Sequence, residues 1–83
     1  MATILVIDDE ASIRNLLKEV LERAHHRVLL AGDGQEGLIL YQQNKVDLVL
    51  MDILMPGTDG LETTLQLTRE YLDAKVIAMT GAQ

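Results

Sequence analysis

The 83-residue sequence has no cysteine, no tryptophan and no phenylalanine, and only one proline and two tyrosines. Without cysteine there is no disulfide and no thiolate metal site, so a reducing compartment such as the cytoplasm is the expected location. Tyr41 and Tyr71 are the whole aromatic content, so the core must be built from Leu, Ile, Val, Ala and Met. No apolar run approaches the ~20 residues that span a bilayer. The start, MATILVIDDE, has no cationic stretch before its apolar run and meets two acids directly after it. It does not read as a secretory signal. Basic residues are scarce too: 13 Asp and Glu stand against 7 Lys and Arg, a net charge of −6. Nucleic acid and anionic membrane are therefore not expected as direct partners, since both call for a basic surface. A cation or a basic partner surface suits the balance. The length fits one small domain, residues 1–83, that buries about 60–65% of its unfolded surface.

What is present is an alternation. Ile4–Ile7, Val28–Ala31, Val46–Met51 and Lys75–Met79 are short apolar runs that read as strands buried on both faces. From Ala11 to Ala24 the apolar residues fall at 13, 16, 17, 20, 21 and 24, one face of an amphipathic helix, with a cap near Glu10–Ser12. Gln35–Asn44 and Leu61–Leu72 read as the second and third helices, the second with Leu38, Ile39 and Tyr41 on or near its inner side. Pro56, with Gly57 and Gly60, marks a non-helical loop. The order βαβαβαβ predicts an α/β domain with a parallel sheet and right-handed crossovers.

In such sheets the chemistry sits beyond the carboxyl ends of the strands. Here those ends carry Asp8-Asp9, Asp52 and Thr80. Carboxylates that converge without a counter-charge raise one another's pKa and cost stability. A hard cation removes the conflict: Mg²⁺ takes one or two carboxylates, a carbonyl and several waters, and accepts a phosphate oxygen beside them. An Asp next to it can then act as a nucleophile toward phosphorus. A second phosphate-like motif competes with this cluster. Gly32-Asp33-Gly34-Gln35-Glu36-Gly37 has GxGxxG spacing, but it lies in the second strand–helix turn rather than the first. Asp33 and Glu36 would repel a phosphate there, and an Asp-Gly turn with acids suited to the helix dipole accounts for the stretch. His25-His26 reads as a solvated helix end, and Met51, Met55 and Met79 as packing residues.

Together, ILVIDDE, AGDGQEGL, VDLVLMDILMPGTDG and VIAMTG resemble the receiver domain of bacterial two-component response regulators. The third block is the most specific, with an apolar strand, Asp52, then Met55-Pro56 and Gly60. The resemblance implies a flavodoxin-like three-layer sheet of order 2-1-3-4. It implies Asp52 as phosphoacceptor and Mg²⁺ ligand, Asp9 as a direct ligand, and Asp8 as a ligand through water or a support. The Leu54 backbone carbonyl would complete the protein's share. Thr80 would be the switch hydroxyl, with Gly81 leaving room beside it. The donor would be a phosphohistidine on a sensor histidine kinase or phosphotransfer protein, or a small acyl phosphate. The domain would be a phosphoacceptor rather than an enzyme with a separate substrate.

Relative to the family, the chain stops just past strand four, without the fourth helix, the fifth strand, the fifth helix and the strand-five lysine that pairs with the phosphoryl group. That implies weakened phosphorylation. It also opens an alternative: a phosphorylation-impaired fragment that forms a homodimer through the exposed edge of strand four and a sheet face covered by the first helix alone. An aspartate-nucleophile phosphohydrolase is disfavoured, because its second acid would stand where Leu54 is.

Overall fold

The computed structural model describes residues 1–55 and 60–79. The elements in order are β1 (Thr3–Ile7), α1 (Ala11–Arg23), β2 (Arg27–Ala31), α2 (Gly34–Gln43), β3 (Leu48–Asp52), α3 (Gly60–Glu70) and β4 (Val76–Met79). Each lies within about two residues of its expected place. All strand pairs are parallel, and the order is β2-β1-β3-β4, as a flavodoxin-like sheet requires. Pro56 and Gly57 of the expected loop lie outside the described residues. Gly60, expected in that loop, is instead the first residue of α3. No helix among the described residues is long and apolar enough to cross a membrane.

The two faces of the sheet are unequally covered. Alternate residues of a strand point to opposite faces. Leu5, Ile7, Ala31, Val49 and Met51 form one buried cluster with Met55 and with Leu67 of α3, and α2 adds Leu38, Leu40 and Tyr41 to it. Tyr41 meets Tyr71 at a ring-centroid distance of 4.8 Å and ties α2 to the end of α3. The strand residues between those positions face the other way, toward α1. There Ile4 and Val6 are buried, but Ile77 is 53% exposed. The amphipathic face read for α1 is correct in its spacing and wrong in its burial. None of its residues is buried, and Leu16 and Val20 are 56% and 54% exposed. α1 packs chiefly on β2 and β1, and the part of its apolar stripe at Leu16 and Val20 stays exposed.

α2 corrects a second expectation. Ile39 is exposed, while Gly34, Gly37, Leu38 and Tyr41, spaced i, i+3, i+4 and i+7, face inward. The seat is Gly37: a methyl built there overlaps Ile7 Cδ1 and lies 2.8 Å from Ile7 Cγ1. With two glycines on the inner face, the helix approaches β1 closely and turns Ile39 outward.

His25-His26 is also more than a solvated end. His25 has φ 68°, in the left-handed region. Its N–H donates to the Glu22 carbonyl at 2.9 Å and the His26 N–H to the Leu21 carbonyl at 3.1 Å. This is the Schellman closure of α1, which places His25 where glycine is preferred. His26 Nδ1 accepts the Ala2 N–H at 3.1 Å and so ties the helix end to the start of β1. Relief of the left-handed strain predicts that His25→Gly stabilises the protein by about 1 kcal/mol. The midpoint of urea unfolding reads this, and an unchanged or lower midpoint refutes it.

Candidate functional site

β1 and β3 are neighbours, with Ile7 opposite Met51 in register. The next residues, Asp8 and Asp52, therefore stand side by side at the carboxyl end of the sheet. One carboxylate oxygen from each of Asp8, Asp9 and Asp52 lies within 4.8 Å of the others. Among the described residues this is the one cluster of His, Cys, Asp or Glu with such spacing. A groove lined by Asp47, Asp73 and Lys75 lies at the opposite pole, where β3 and β4 begin.

The three acids are held differently. Asp8 is buried, 5% exposed. Its N–H donates to the Ala31 carbonyl at 3.1 Å, its Oδ1 accepts the Glu10 N–H at 2.9 Å, and its carbonyl accepts Arg14 Nη1 at 2.7 Å. Asp9 is exposed. Asp52 is half-buried, and its Oδ1 accepts the Leu54 N–H at 2.9 Å, which closes a turn around the carboxylate. Burial pushes the Asp8 carboxyl above its ordinary range. The Glu10 N–H opposes that shift, and the anions of Asp52, Asp9 and Glu10 add to it. A cluster of oxygen donors whose buried member is reluctant to ionise fits a hard divalent cation such as Mg²⁺.

The sequence expectations for Asp8, Asp9 and Asp52 thus meet in space. Leu54 is 58% exposed and bonded to Asp52 through its own N–H. Thr80 and Gly81 lie outside the described residues, directly after Met79, the register partner of Asp52. The GxGxxG stretch is an acidic helix cap. Asp33 Oδ1 accepts the Glu36 N–H at 2.8 Å, and Glu36 Oε1 accepts the Gly32 N–H at 2.9 Å. The chain's own carboxylates occupy amides that a phosphate would use.

The parts that two residues play at the site escaped the sequence reading. Arg14 looks in sequence like any solvated residue on the polar side of α1. Gly60 looks like a loop glycine, yet a methyl built on it overlaps the Asp52 carbonyl oxygen and lies 2.6 Å from Ile53 Cα. The start of α3 is pressed against the backbone of the residue that ends β3.

Comparison with known proteins agrees with this geometry. Residues 4–83 match the response regulator receiver domain family. Protein PilH of Pseudomonas aeruginosa is 46% identical over 70 residues, which cover 84% of this chain and 58% of PilH. Transcriptional regulatory protein YvrH of Bacillus subtilis is 40% identical over 81 residues, 96% of this chain and 34% of YvrH. The chain therefore spans less than two thirds of either relative. Response regulator TrrA of Thermotoga maritima, solved in complex with Mg²⁺-BeF, superposes with a TM-score of 0.93 at 41% identity. That match covers all of this chain and 72% of TrrA. TrrA in complex with histidine kinase ThkA superposes with a TM-score of 0.92. With the parallel 2-1-3-4 sheet, the acids at its carboxyl end and a family match over residues 4–83, the chain belongs to the response regulator receiver domains of two-component signalling.

Proposed function

We propose that this chain is a single phosphoacceptor domain in which Asp52 receives a phosphoryl group from a phosphohistidine of a sensor histidine kinase or phosphotransfer protein. The observation that carries the reading is the meeting of three carboxylate oxygens within 4.8 Å at the ends of β1 and β3. Asp9 and Asp52 would ligate Mg²⁺ directly, Asp8 would support the ion or reach it through water, and the Leu54 carbonyl would complete the protein's share. When bound, the ion offsets negative charge on the transferring group. The Leu54 N–H fixes one oxygen of Asp52 and thereby orients the carboxylate. The Asp52 carboxylate forms the new O–P bond as the P–N bond of the donor breaks. The electron pair returns to the imidazole, which then takes a proton from solvent. Thr80 is the proposed switch hydroxyl toward the phosphoryl oxygen, and Gly81 leaves space beside it. The complexes of TrrA with Mg²⁺-BeF and with a histidine kinase support carrying these roles over. A cytoplasmic location, no direct nucleic-acid contact and no separate enzymatic substrate belong to the same proposal.

The test is intact-protein mass after incubation with acetyl phosphate and Mg²⁺. A single phosphoryl adduct is expected, lost in Asp52→Asn and in EDTA. An adduct that persists in Asp52→Asn, or none on folded wild-type protein, refutes the reading.

The exposed Leu16, Val20 and Ile77 and the outer position of β4 support a homodimer on that face as a further part of the proposal. Light scattering after size-exclusion chromatography at tens of micromolar is expected to show a dimer mass, and a monomer mass excludes it.

A further inference from the structure

The Arg14 guanidinium sits behind the acidic cluster and bonds a carbonyl rather than a carboxylate. Nη1 donates to the Asp8 backbone oxygen at 2.7 Å. The two ion pairs among the described residues, Lys18–Glu22 and Arg23–Glu19, do not include it. The guanidinium also lies against the second turn, where a methyl built on Gly32 would stand 3.5 Å from Nη1. That turn is itself held by Glu36 through the Gly32 N–H.

The carbonyl it bonds belongs to the peptide unit that joins Asp8 to Asp9. A peptide unit is planar, so fixing its oxygen fixes its nitrogen and the entry into Asp9. Asp8 is held on its other side by the Ala31 carbonyl and through its own carboxylate by the Glu10 N–H. Asp9 is exposed, and among the described residues no hydrogen bond holds its carboxylate. The direction of Asp9 toward Asp8 and Asp52 therefore rests on the backbone that leads into it. Arg14 is well suited to hold that backbone, because it is always charged and its planar fork loses little freedom per bond made.

We propose that Arg14 is a positioning residue for the Mg²⁺ site, clamping the Asp8–Asp9 peptide so that the Asp9 carboxylate is aimed at the ion. The inference rests on the reading of the acidic cluster as that site. Charge and position predict opposite signs. A nearby cation repels Mg²⁺, so removing Arg14 for its charge alone would tighten binding slightly through screened Coulomb repulsion. Removing it as a clamp frees the peptide and weakens binding. Residues that orient metal ligands commonly cost about tenfold or more in affinity when lost.

The experiment is calorimetric titration of MgCl₂ into metal-free wild type, Arg14→Met and Arg14→Lys, with Asp52→Asn as the site control and circular dichroism to establish folding. The dissociation constant is expected to rise about tenfold in Arg14→Met and less in Arg14→Lys, which keeps the charge and can still donate but lacks the planar fork. A purely structural role would lower the melting temperature of Arg14→Met and leave the affinity of its folded fraction unchanged. An unchanged or tighter constant in folded Arg14→Met overturns the proposal while leaving the Mg²⁺ reading intact. No binding by wild type, or full binding by Asp52→Asn, overturns both. Should Arg14→Met not fold, wild type decides the matter. If the clamp favours the ion, the ion must favour the clamp by the same factor. Saturating Mg²⁺ is then expected to slow solvent exchange of the Arg14 side-chain N–H signal in NMR spectra, and unchanged exchange overturns the proposal.

Discussion

Gly60→Ala is expected to destabilise the protein by about 3 kcal/mol or more. In an open helix position the same change would stabilise, because alanine is favoured over glycine by about 1 kcal/mol. Here the sign reverses. The added methyl meets the Asp52 carbonyl oxygen and the Ile53 Cα, both backbone atoms that no rotamer change can move. Either α3 retreats from β3, which opens the packing of Leu67 and Met55, or the end of β3 bends and Asp52 leaves its place. Overpacking of this kind costs about 3 kcal/mol or more when nothing can yield. A domain of this size has about 4–12 kcal/mol in total. Gly37→Ala offers the comparison. Its clash is with the Ile7 side chain, which can shift rotamer where backbone cannot, so a smaller loss is expected although Ile7 is fully buried. Thermal unfolding of both variants by circular dichroism ranks them. A Gly60→Ala protein as stable as wild type would show that α3 does not press on β3 in solution.

Asp8→Asn is expected to act in opposite directions with and without metal. In EDTA, the buried Asp8 carboxylate is in no ion pair among the described residues and faces the anions of Asp52, Asp9 and Glu10. Asparagine keeps an oxygen for the Glu10 N–H and removes the charge. Screened repulsion at ~4 Å is about 1 kcal/mol, so the melting temperature should rise by about 4–8 °C at pH 7. The pH dependence follows from the direction of the shift. A carboxyl raised in the folded state contributes stability that is complete below its ordinary value of 3.8 and is lost as pH rises through the folded value. The advantage of Asp8→Asn over wild type should therefore vanish below about pH 4 and grow toward neutrality. Mg²⁺ should reverse the order. Bound at the proposed site, it would stabilise wild type by about 2.7 kcal/mol at a hundredfold excess over its dissociation constant, and the variant would gain much less because one anion of the site is gone. Melting curves in EDTA and in Mg²⁺ across pH 3–8 check all three statements. A metal-free Asp8→Asn protein less stable than wild type at pH 7 would mean that the carboxylate is not under strain.

The alternation of apolar runs with 3.6-residue patterns was enough to read the strands and helices, because local periodicity encodes which residues share a face. Asp8, Asp9 and Asp52 were legible for a related reason: acids that end apolar strands of a parallel sheet must emerge at the same edge. Periodicity does not say what lies over a face. It marked Leu16 and Val20 as an inner stripe, yet both stand exposed, because α1 lies chiefly over β2 and β1 and leaves that part of its face uncovered. It placed Ile39 on or near the inner side of α2, yet the close approach at Gly37 sets the helix so that Ile39 is exposed.

By itself, then, the sequence determined the order of elements, the parallel sheet and the identity of the acids at its end, since each follows from neighbours in the chain. Tertiary structure decided which individual atoms meet, which periodicity does not specify even for residues a few positions apart. Gly60 became a contact with the β3 backbone, Glu36 closed the glycine turn against a phosphate, and Arg14 took the Asp8 carbonyl. The physical reason is the same in each case. The type of a residue and its place in a periodic pattern do not say which atom will stand opposite it once the chain has folded.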